Sequence, residues 1–491
     1  MKLHLFLLPL VLCTSAFADE LLIGSATVDI TPDQPVALAG QFSTRISKVA
    51  ETPIIAAAVA FESRRDGKAV DQAIMISCDL VAIRPSVLEK IRAHLQPLLP
   101  EVDMSKVILN ATHTHTAPVT SELSDNRSLY DIPKEGVMQP DEYITFLAAQ
   151  VGKAAVQAWQ SRKPGGVSWT YGEAVVGHNR RMVYADGHAQ MYGKTTLPSF
   201  RSLEGAEDHA VETLFCWNEA KQLIAVAVNL ACPSQEVEHR SAINADFWHE
   251  AREQIRAALK LPGLTILGWC GAAGDQSPHL QYRKEAEERM LKARGVTRLQ
   301  ELGRRISRAV VDTFDVAQSD IRQDVPFAHS VGKLSLPPRV ILPRERDEAA
   351  ANVATYSAMQ NPTEPMRVML RREQETIRRF DEGAKTPFEM ELHVLRIGDV
   401  AIATNPFELF LDYGIQMKAR SSATQTFVIQ LSCGSGGYLP TPKAITGGSY
   451  SAVPASNKVG PEGGQVLVDE TLGAIRALWP AQPAAAPQPG K

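Results

Sequence analysis

Short runs of apolar residues alternate along the chain with longer segments in which apolar and polar residues recur at helical spacing. The short runs are typical of buried β-strands, and the longer segments are typical of amphipathic helices. Strands are predicted at 21–30, 54–62, 72–79, 106–110, 211–217, 222–230, 264–270, 389–396, 399–404 and 427–431. Helices are predicted at 85–97, 141–160, 247–259, 282–315, 345–359, 366–381 and 464–478. This alternation predicts an α/β fold in which layered mixed β-sheets are flanked by helices.

Two segments depart from the pattern of the core. The stretch 345–383 is rich in Arg and Glu and has little apolar face, so we expect a helical arm inserted over or beside the core. Residues 480–491 are rich in Pro, Ala and Gln, a composition typical of a disordered tail. No internal repeat and no linker is evident within 19–479, which predicts a single domain over that range.

The N-terminus has the pattern of a secretory signal peptide. Lys2 precedes an apolar run over 3–12, and the triplet Ala16-Phe17-Ala18 follows as a cleavage site, so residues 1–18 are predicted to be removed. The run is too short to span a bilayer, and no later segment has the roughly twenty uncharged apolar residues that spanning requires. We therefore expect an exported protein, secreted or periplasmic. Cys13 offers a lipid-anchor alternative, but the residue before it is bulky where a lipidation site needs a small one.

Composition and cysteine usage narrow the class of protein. A net charge of −4 over 491 residues is almost neutral, which argues against nucleic acid or an anionic membrane as a partner. Five cysteines remain after residue 18, and an odd number in an oxidising compartment leaves at least one thiol unpaired. Cys78, Cys216 and Cys270 lie in apolar strand-like runs, so we expect them to be small buried hydrophobic residues.

The most informative stretch is NATHTHTAP over 110–118, in which His113 and His115 lie two positions apart, just after an apolar run. On a β-strand this spacing puts both imidazoles on the same face. Two imidazoles aimed into one cavity are half of a typical metal site, because imidazole nitrogen suits zinc and similar divalent ions. The alternative is that one histidine is solvated and the other is a hydrogen-bonded core residue.

Five separated segments resemble, in order, the N-terminal catalytic domain of neutral (non-lysosomal) ceramidases, zinc amidases that cleave the amide of an N-acylsphingosine. The segments are IGSATVDITP at 23–32, ISCDL at 76–80, THTHTAP at 112–118, GDQSP at 274–278 and NPFEL at 405–409. Together they extend over nearly all of 20–479. The resemblance implies that His113 and Glu408 bind zinc. It also implies that His115 lies beside the metal and that Ser277 is catalytic.

The C-terminal part of the resemblance includes the spacing between two tyrosines. In the family, a metal-ligand tyrosine is followed twelve residues later by a tyrosine that hydrogen-bonds the substrate, and Tyr438 and Tyr450 have the same separation. The resemblance implies these roles for the two tyrosines. The pair Asn179-Arg180 resembles the family's Asn-Arg pair, whose arginine points into the site. The alternatives are a surface loop aromatic for Tyr450 and a solvated loop arginine for Arg180.

The chain departs from the family at the second zinc histidine. The counterpart segment reads Ala-Cys-Pro-Ser over 231–234, so Cys232 takes the place of that histidine. Three outcomes are open: the thiolate binds zinc, His239 or His249 supplies the ligand, or the site binds metal poorly. Thiolate is a good zinc ligand, although its charge would leave zinc a weaker Lewis acid. The predicted ligand set around one Zn²⁺ per chain is therefore His113, Cys232, Glu408 and Tyr438.

A centre of this kind hydrolyses amides or esters, because zinc with an open coordination position activates water and polarises a carbonyl. Arg180 and Tyr450 are expected to hold a developing oxyanion or a substrate head group. His115 is the candidate for moving a proton from water to the leaving amine. Ser277 lies in a tight turn and acts either as a nucleophile or as an orienter of water and substrate, the alternative being a serine that caps a helix.

The resemblance and its departures narrow the substrate to a class. Ceramidases usually carry a further C-terminal immunoglobulin-like domain, which this chain is expected to lack, and this argues with Cys232 against ceramide itself. We expect a secreted zinc hydrolase of a small-molecule or lipid-like substrate with an N-acyl amide or ester bond. One other class is a non-catalytic ceramidase-fold protein that has lost the metal, favoured if Cys232 lies far from His113. The other is a metal-free serine hydrolase that uses Ser277 with His115.

Overall fold

The computed structural model describes residues 19–121, 129–383 and 385–479. The predicted signal peptide at 1–18 and the predicted tail at 480–491 lie outside the described residues. Within the described ranges, no helix combines the length and the apolar character needed to cross a membrane.

The strands are numbered in chain order. They are β1 Glu20–Asp29, β2 Val36–Leu38, β3 Arg45–Ser47, β4 Ile55–Arg65, β5 Lys68–Cys78, β6 Val107–Ala111, β7 Lys163–Glu173, β8 His178–Asn179, β9 Arg181–Tyr184, β10 Ala189–Met191, β11 Phe200–Leu203, β12 Ala210–Asn218, β13 Leu223–Leu230, β14 Thr265–Cys270, β15 Gln276–Ser277, β16 Arg322–Gln323, β17 Phe327–Leu336, β18 Phe388–Ile397, β19 Val400–Thr404, β20 Phe407–Leu409, β21 Gln425–Ile429 and β22 Gly437–Leu439.

The helices follow the same convention. They are α1 Pro85–Leu95, α2 Pro140–Gln160, α3 Phe247–Leu259, α4 Lys284–Arg294, α5 Arg298–Asp312, α6 Phe314–Ser319, α7 Pro343–Ser357, α8 Glu364–Asp381, α9 Leu411–Arg420, α10 Pro442–Gly447 and α11 Pro461–Leu478, with short 3₁₀ turns at Met104–Lys106 and Pro454–Ser456.

Two sheets form the centre of the fold. The larger has the strand order β14-β13-β12-β7-β1-β4-β5-β6, with β16 paired to β7, and the smaller has the order β17-β18-β19-β21. Most pairs are antiparallel, but β5–β6, β13–β14 and β19–β21 are parallel. Both sheets are therefore mixed, in agreement with the predicted fold class.

The two sheets pack face to face, and helices cover their outer faces. One apolar cluster contains residues of both sheets, and within it Phe61 of the larger sheet stacks on Phe327 of the smaller at 5.8 Å. Helices α1 and α2 cover one half of the larger sheet, α3 and α5 cover the other half, and α9 and α11 cover the smaller sheet. The result is a four-layer arrangement of helix, sheet, sheet and helix, which confirms the predicted layered α/β fold.

Strand β7 was not predicted, because glycines interrupt its apolar pattern. A Cβ atom on Gly165 would lie 2.3 Å from the carbonyl oxygen of Trp217, so the close approach of β12 to β7 requires a glycine there. The predicted helix 282–315 is divided into α4, α5 and α6. Gly295 ends α4 with a φ of 65°, and Thr297 caps α5 through a hydrogen bond from the Gln300 amide.

The predicted arm at 345–383 contains most of α7 and all of α8, which pack against each other. Few of their side chains are buried, since α7 buries Ala349 and α8 buries Val368 and Thr376. The N-terminal end of α8 is held by Glu364, whose carboxylate accepts hydrogen bonds from the Thr44 amide at 2.7 Å and hydroxyl at 2.5 Å. This contact joins α8 to the N-terminal part of the chain.

Candidate metal and active site

His113 and His115 lie in the loop that follows β6, not on the strand on which the pair was predicted. The strand ends at Ala111, and His113 has a φ of 70°, in the left-handed region. Its amide donates to the Leu80 carbonyl at 2.9 Å, which fixes the turn. The two imidazoles nevertheless meet, with their Nε2 atoms 3.3 Å apart. A turn, not the side-chain alternation of a strand, therefore brings them together.

The environment of His113 defines which of its ring nitrogens carries a proton. Nδ1 lies 2.6 Å from the Val81 carbonyl oxygen, which can only accept a hydrogen bond. Nδ1 is therefore the protonated nitrogen, and in the neutral ring Nε2 carries a lone pair. That lone pair faces the Glu408 carboxylate at 3.4 Å as well as Nε2 of His115.

Glu408 and Tyr438 are brought to His113 by a short parallel pair, β20–β22, in which they are direct partners. Partners in register on neighbouring strands present their side chains to the same side. Burial raises the pKa of the Glu408 carboxyl, but its contacts with His113 and Tyr438 and the charge of Arg180 outweigh this effect, so the pKa lies below its usual value. Burial and the neighbouring Glu408 raise the pKa of the Tyr438 hydroxyl.

Arg180 reaches this group from the link between β8 and β9. Its Nη2 donates to the Tyr438 hydroxyl at 3.1 Å and to the Gly274 carbonyl at 2.9 Å. Burial lowers the pKa of Arg180. The facing Tyr438 and Tyr192 raise this pKa by more than burial lowers it, so the guanidinium stays charged. Arg180 is thus a buried cation against the proposed ligand Tyr438, and it is not a solvated loop arginine.

Ser277 belongs to the ring around Arg180. Its Oγ accepts hydrogen bonds from the Tyr192 hydroxyl at 3.0 Å and from the His279 amide at 3.1 Å. The Tyr192 hydroxyl in turn accepts from Gln235 Nε2 at 2.6 Å and contacts Arg180 Nη1 at 3.4 Å. Ser277 therefore reaches the site through Tyr192.

Tyr450 lies on the outer side of the group. Its ring meets that of Tyr438 edge to face at 5.6 Å, and the ring of Phe42 at 5.9 Å. The backbone carbonyl of Tyr450 accepts a hydrogen bond at 3.0 Å from Arg181, a fully buried arginine paired with Glu204. Adjacent arginines thus have separate tasks, since Arg180 faces the site and Arg181 fixes the segment that carries Tyr450.

The described contacts of Cys232 are with residues outside this group. Its side chain is fully buried in the apolar cluster of α3, α5 and β12–β14, and its thiol contacts the Pro233 carbonyl at 3.5 Å. Burial raises the pKa of the thiol well above its usual value. The two alternative ligands are also not among the contacts of His113: His239 is exposed, and His249 is half-buried on α3.

The segment after Cys232 reaches the site through residues that the sequence interpretation missed. Glu238 Oε2 lies 3.2 Å from His115 Nδ1, and its Oε1 lies 3.1 Å from His279 Nε2. Burial raises the pKa of Glu238, but hydrogen bonds with both histidines outweigh it and hold the pKa well below its usual range. The pattern QEVEH at 235–239 and the histidine of GDQSPH at 274–279 were available as signals in the sequence.

Arg45 and Gly40 fix the position of the loop that carries His115. Arg45 Nη2 donates to the His115 carbonyl at 2.7 Å, and its Nη1 donates to the Glu238 carbonyl at 2.6 Å. Gly40, with a φ of 98°, lies directly against the imidazole, and a Cβ there would be 2.5 Å from Cγ of His115. The position of His115 therefore depends on a buried cation and a required glycine.

A second group of metal-binding side chains lies outside this site. Among the described residues, three side chains place their possible metal-binding atoms within 4.8 Å of one another: Glu391, His393 and Cys433. His393 Nε2 is 3.1 Å from Glu391 Oε2, and Arg92 donates to both oxygens of that carboxylate at 2.8 Å. Any measurement of bound metal must distinguish this group from His113 and Glu408.

The five cysteines of the described chain are free. Cys78, Cys216 and Cys270 are all buried, as predicted. Cys78 and Cys216 lie among apolar side chains, whereas the thiol of Cys270 accepts from Gln430 Nε2 at 3.3 Å and contacts the Cys232 carbonyl at 3.4 Å.

Comparisons with known proteins support the fold. No protein-family model matches the sequence, and a search of curated proteins also found no match. Among solved structures, a ceramidase complexed with C2 superposes with a TM-score of 0.66 at 16% identity, covering 96% of this chain and 77% of the ceramidase. The neutral ceramidase from Pseudomonas aeruginosa gives a TM-score of 0.64 at 16% identity with the same coverage. The chain has the neutral ceramidase fold, so the resemblance predicted from the five segments is confirmed at the level of fold.

Proposed function

We propose that this chain, which has the neutral ceramidase fold, is a zinc-dependent hydrolase of amide bonds. One observation carries the proposal: the His113 Nε2 lone pair faces a carboxylate oxygen at 3.4 Å and a second imidazole nitrogen at 3.3 Å. Such electron-rich atoms repel one another unless a proton or a metal cation lies among them, so this group of atoms is suited to bind a cation. The donor types are those that zinc prefers, and the Val81 carbonyl supplies the usual support for a ligating histidine.

The residues that would hold the ion are His113, Glu408 and Tyr438. Arg180 lies against the Tyr438 oxygen, where its charge favours the deprotonated hydroxyl that a metal ligand requires. A zinc ion bound by these residues would polarise an amide carbonyl and lower the pKa of a water molecule. Cys232 has no part in the proposed site, because its thiol lies in the apolar core.

His115 is the proposed proton carrier. Burial lowers the pKa of its imidazole, so the ring is neutral near pH 7 and can accept a proton from water. Glu238 contacts Nδ1, which leaves Nε2 as the accepting atom. The same nitrogen can then donate its proton to the leaving amine.

Arg180 and Tyr450 are proposed to stabilise the substrate oxygen as negative charge develops on it. Arg180 is a buried cation, and Tyr450 is a hydroxyl donor close to Tyr438. Ser277 is proposed as a positioning residue, because its oxygen holds the Tyr192 hydroxyl that contacts Arg180. A nucleophilic serine paired with His115 is less well supported, since the contacts of Ser277 lead to Tyr192.

We also propose that the protein is exported. The support is the apolar run and small-residue triplet at 3–18, which lie outside the described residues. Five free cysteines are compatible with this, because four of them are buried, away from oxidants, and Cys433 is half-buried.

The test of the proposed function is an assay of the zinc-loaded protein against short- and long-chain N-acyl amides and the matching esters. We expect turnover of at least one amide, loss of turnover after chelation, and its recovery when one equivalent of zinc is returned. A protein that holds zinc at His113 and Glu408 but cleaves no amide or ester in this panel would contradict hydrolysis. The non-catalytic class of ceramidase-fold protein would then be favoured.

Replacing Glu238 with glutamine is expected to lower kcat by about tenfold and to move the acidic limb of the pH profile of kcat/KM to lower pH. The sign follows because Glu238 raises the pKa of His115, and its neutral replacement removes that contribution. His115 then stays unprotonated to lower pH, but its ring is less well oriented. An acidic limb that stays in place or moves to higher pH would show that His115 is not the group being titrated.

A further inference from the structure

A cavity of about 640 Å³ opens onto the proposed site, and its wall carries an excess of positive charge. We call it the mouth cavity. Its inner end is formed by Glu408, Tyr438 and Tyr450, and its outer wall includes the inner side of α8. Seven lysine and arginine side chains line it, against three glutamates. For a chain whose net charge is −4, this is a marked local reversal of sign.

Two of these cations, Arg372 and Arg379, form no ion pair with a carboxylate of the described residues, although Glu373 lies near Arg372 and Glu375 near Arg379. Arg372 Nη2 donates to the Ser456 hydroxyl at 3.0 Å, and its Nε is buried without a hydrogen-bond acceptor. Arg379 donates to the carbonyl oxygens of Pro454 at 2.9 Å and Asn457 at 3.0 Å. Neutral acceptors therefore fix the position of both guanidinium groups, and no carboxylate is bonded directly to either of them.

Arg372 lies within reach of a molecule that occupies the proposed site. Its guanidinium carbon is 5.7 Å from the centre of the Tyr450 ring and 5.3 Å from that of Phe42. Tyr450 in turn contacts Tyr438, whose hydroxyl belongs to the proposed ligand set. The two aromatic rings hold Arg372 in place, so the cation and the ligands are separated by the width of one tyrosine ring.

Arg378, on the same helix, gives the contrasting case. It lines the mouth cavity but is paired with Glu375 at 2.5 Å and Glu382 at 2.7 Å. Its charge is therefore compensated within α8. The difference between Arg372 and Arg378 allows charge selection to be separated from a general effect of removing an arginine.

We infer that the mouth cavity selects an amide that carries an oxyanion, such as an N-acyl amino acid. The oxyanion would bind Arg372 and Arg379 while the amide carbonyl lies between Tyr438 and Tyr450. Apolar lining is limited to a few side chains, including Pro338 and Phe388, which does not suit the two long chains of a ceramide. The inference rests on the proposed function for the cleavage step, but the binding of the anion does not depend on it.

The test compares N-butanoylglycine, which is anionic, with N-butanoylethanolamine, its neutral analogue. Binding is measured by calorimetry on the zinc-loaded protein, and hydrolysis by release of the amine. We expect the anionic amide to bind at least about tenfold more tightly at low salt, and the preference to fall as salt is added. Arg372→Gln should weaken binding of the anionic amide by about tenfold and change binding of the neutral one less than threefold.

Two matched variants complete the test. Arg378→Gln should change binding of either amide less than twofold, and Arg372→Lys should keep part of the preference for the anion. Unchanged zinc content and melting temperature show that each variant is folded. If both amides bind equally, if neither binds, or if Arg372→Gln affects both equally, charge selection is overturned. If the anionic amide binds through Arg372 but is not cleaved, charge selection stands and the proposed hydrolysis fails.

Discussion

Replacing His113 with alanine is expected to remove zinc from the purified protein and to lower kcat/KM for amide hydrolysis by at least about a thousandfold, because losing one ligand costs several kcal/mol of metal affinity. The contacts of His113 define metal binding more clearly than any other role. Its Nδ1 is occupied by the Val81 carbonyl, and its Nε2 points at the Glu408 carboxylate. Elemental analysis of protein purified without chelator, together with the amide assay, measures both effects.

Two controls separate this site from the other candidates. Cys232→Ala should keep one zinc per chain, since the thiol is buried among apolar side chains and contacts the Pro233 carbonyl. Cys433→Ser removes the thiol of the second group, formed with Glu391 and His393, and should leave the hydrolysis unchanged. If Cys232→Ala loses zinc as His113→Ala does, the thiol is a ligand and the described position of Cys232 is not the one in the metal-bound protein.

Replacing Asp79 with alanine is expected to lower the free energy of unfolding by about 3–5 kcal/mol, the usual cost of removing one partner of a buried ion pair. The Asp79 carboxylate is fully buried and accepts from both terminal nitrogens of Arg252, at 2.7 and 2.9 Å. It also accepts from the Ile55 amide at 3.0 Å and the Thr112 hydroxyl at 3.1 Å. The variant leaves a buried guanidinium unpaired and frees the residue that precedes His113.

Urea denaturation followed by tryptophan fluorescence measures this loss of stability. The matched control is Asp312→Ala, which removes an Asp–Arg ion pair with Arg308 on the surface of α5, where both side chains are at least 60% exposed. That variant should change the free energy of unfolding by less than about 0.5 kcal/mol. Equal losses for the two variants would show that Asp79 contributes no more than a surface pair.

The sequence predicts the layers of the fold well because the core elements carry strong periodicity. Strands such as β4 and β13 are almost wholly buried, so their apolar runs are unambiguous. The elements that were missed have weak patterns: β7 contains glycines needed for backbone contact, and β17 alternates with polar residues such as His329 and Lys333. Pattern alone cannot separate these strands from loops.

For the site, the sequence identifies residues that meet in space although they lie far apart in the chain. His113, Arg180, Glu408 and Tyr438 were all selected from short motifs, and the structure brings them into contact. Cys232 was assigned as a ligand from an ungapped alignment. Such an alignment cannot show that residues after Cys232 turn toward the site. Gln235 and Glu238 make that approach, and no local pattern fixes the direction of such a turn.

The helical arm shows a further limit of the sequence. Its Arg and Glu content predicts exposed helices, and this agrees with the few buried residues of α7 and α8. Composition does not show which arginines form ion pairs with carboxylates. Arg378 is paired within its own helix, whereas Arg372 is turned toward Tyr450, and only the packing of α8 against the 454–456 turn distinguishes them.

The central claim is that a zinc ion binds among His113, Glu408 and Tyr438. Anomalous diffraction from crystals of the zinc-loaded protein, with data collected on both sides of the zinc absorption edge, locates the ion directly. We expect a peak about 2.0–2.2 Å from His113 Nε2 and from a Glu408 oxygen, the distances typical of zinc with these ligands. A peak at Glu391, His393 and Cys433 alone, with no density between His113 and Glu408, would contradict the account.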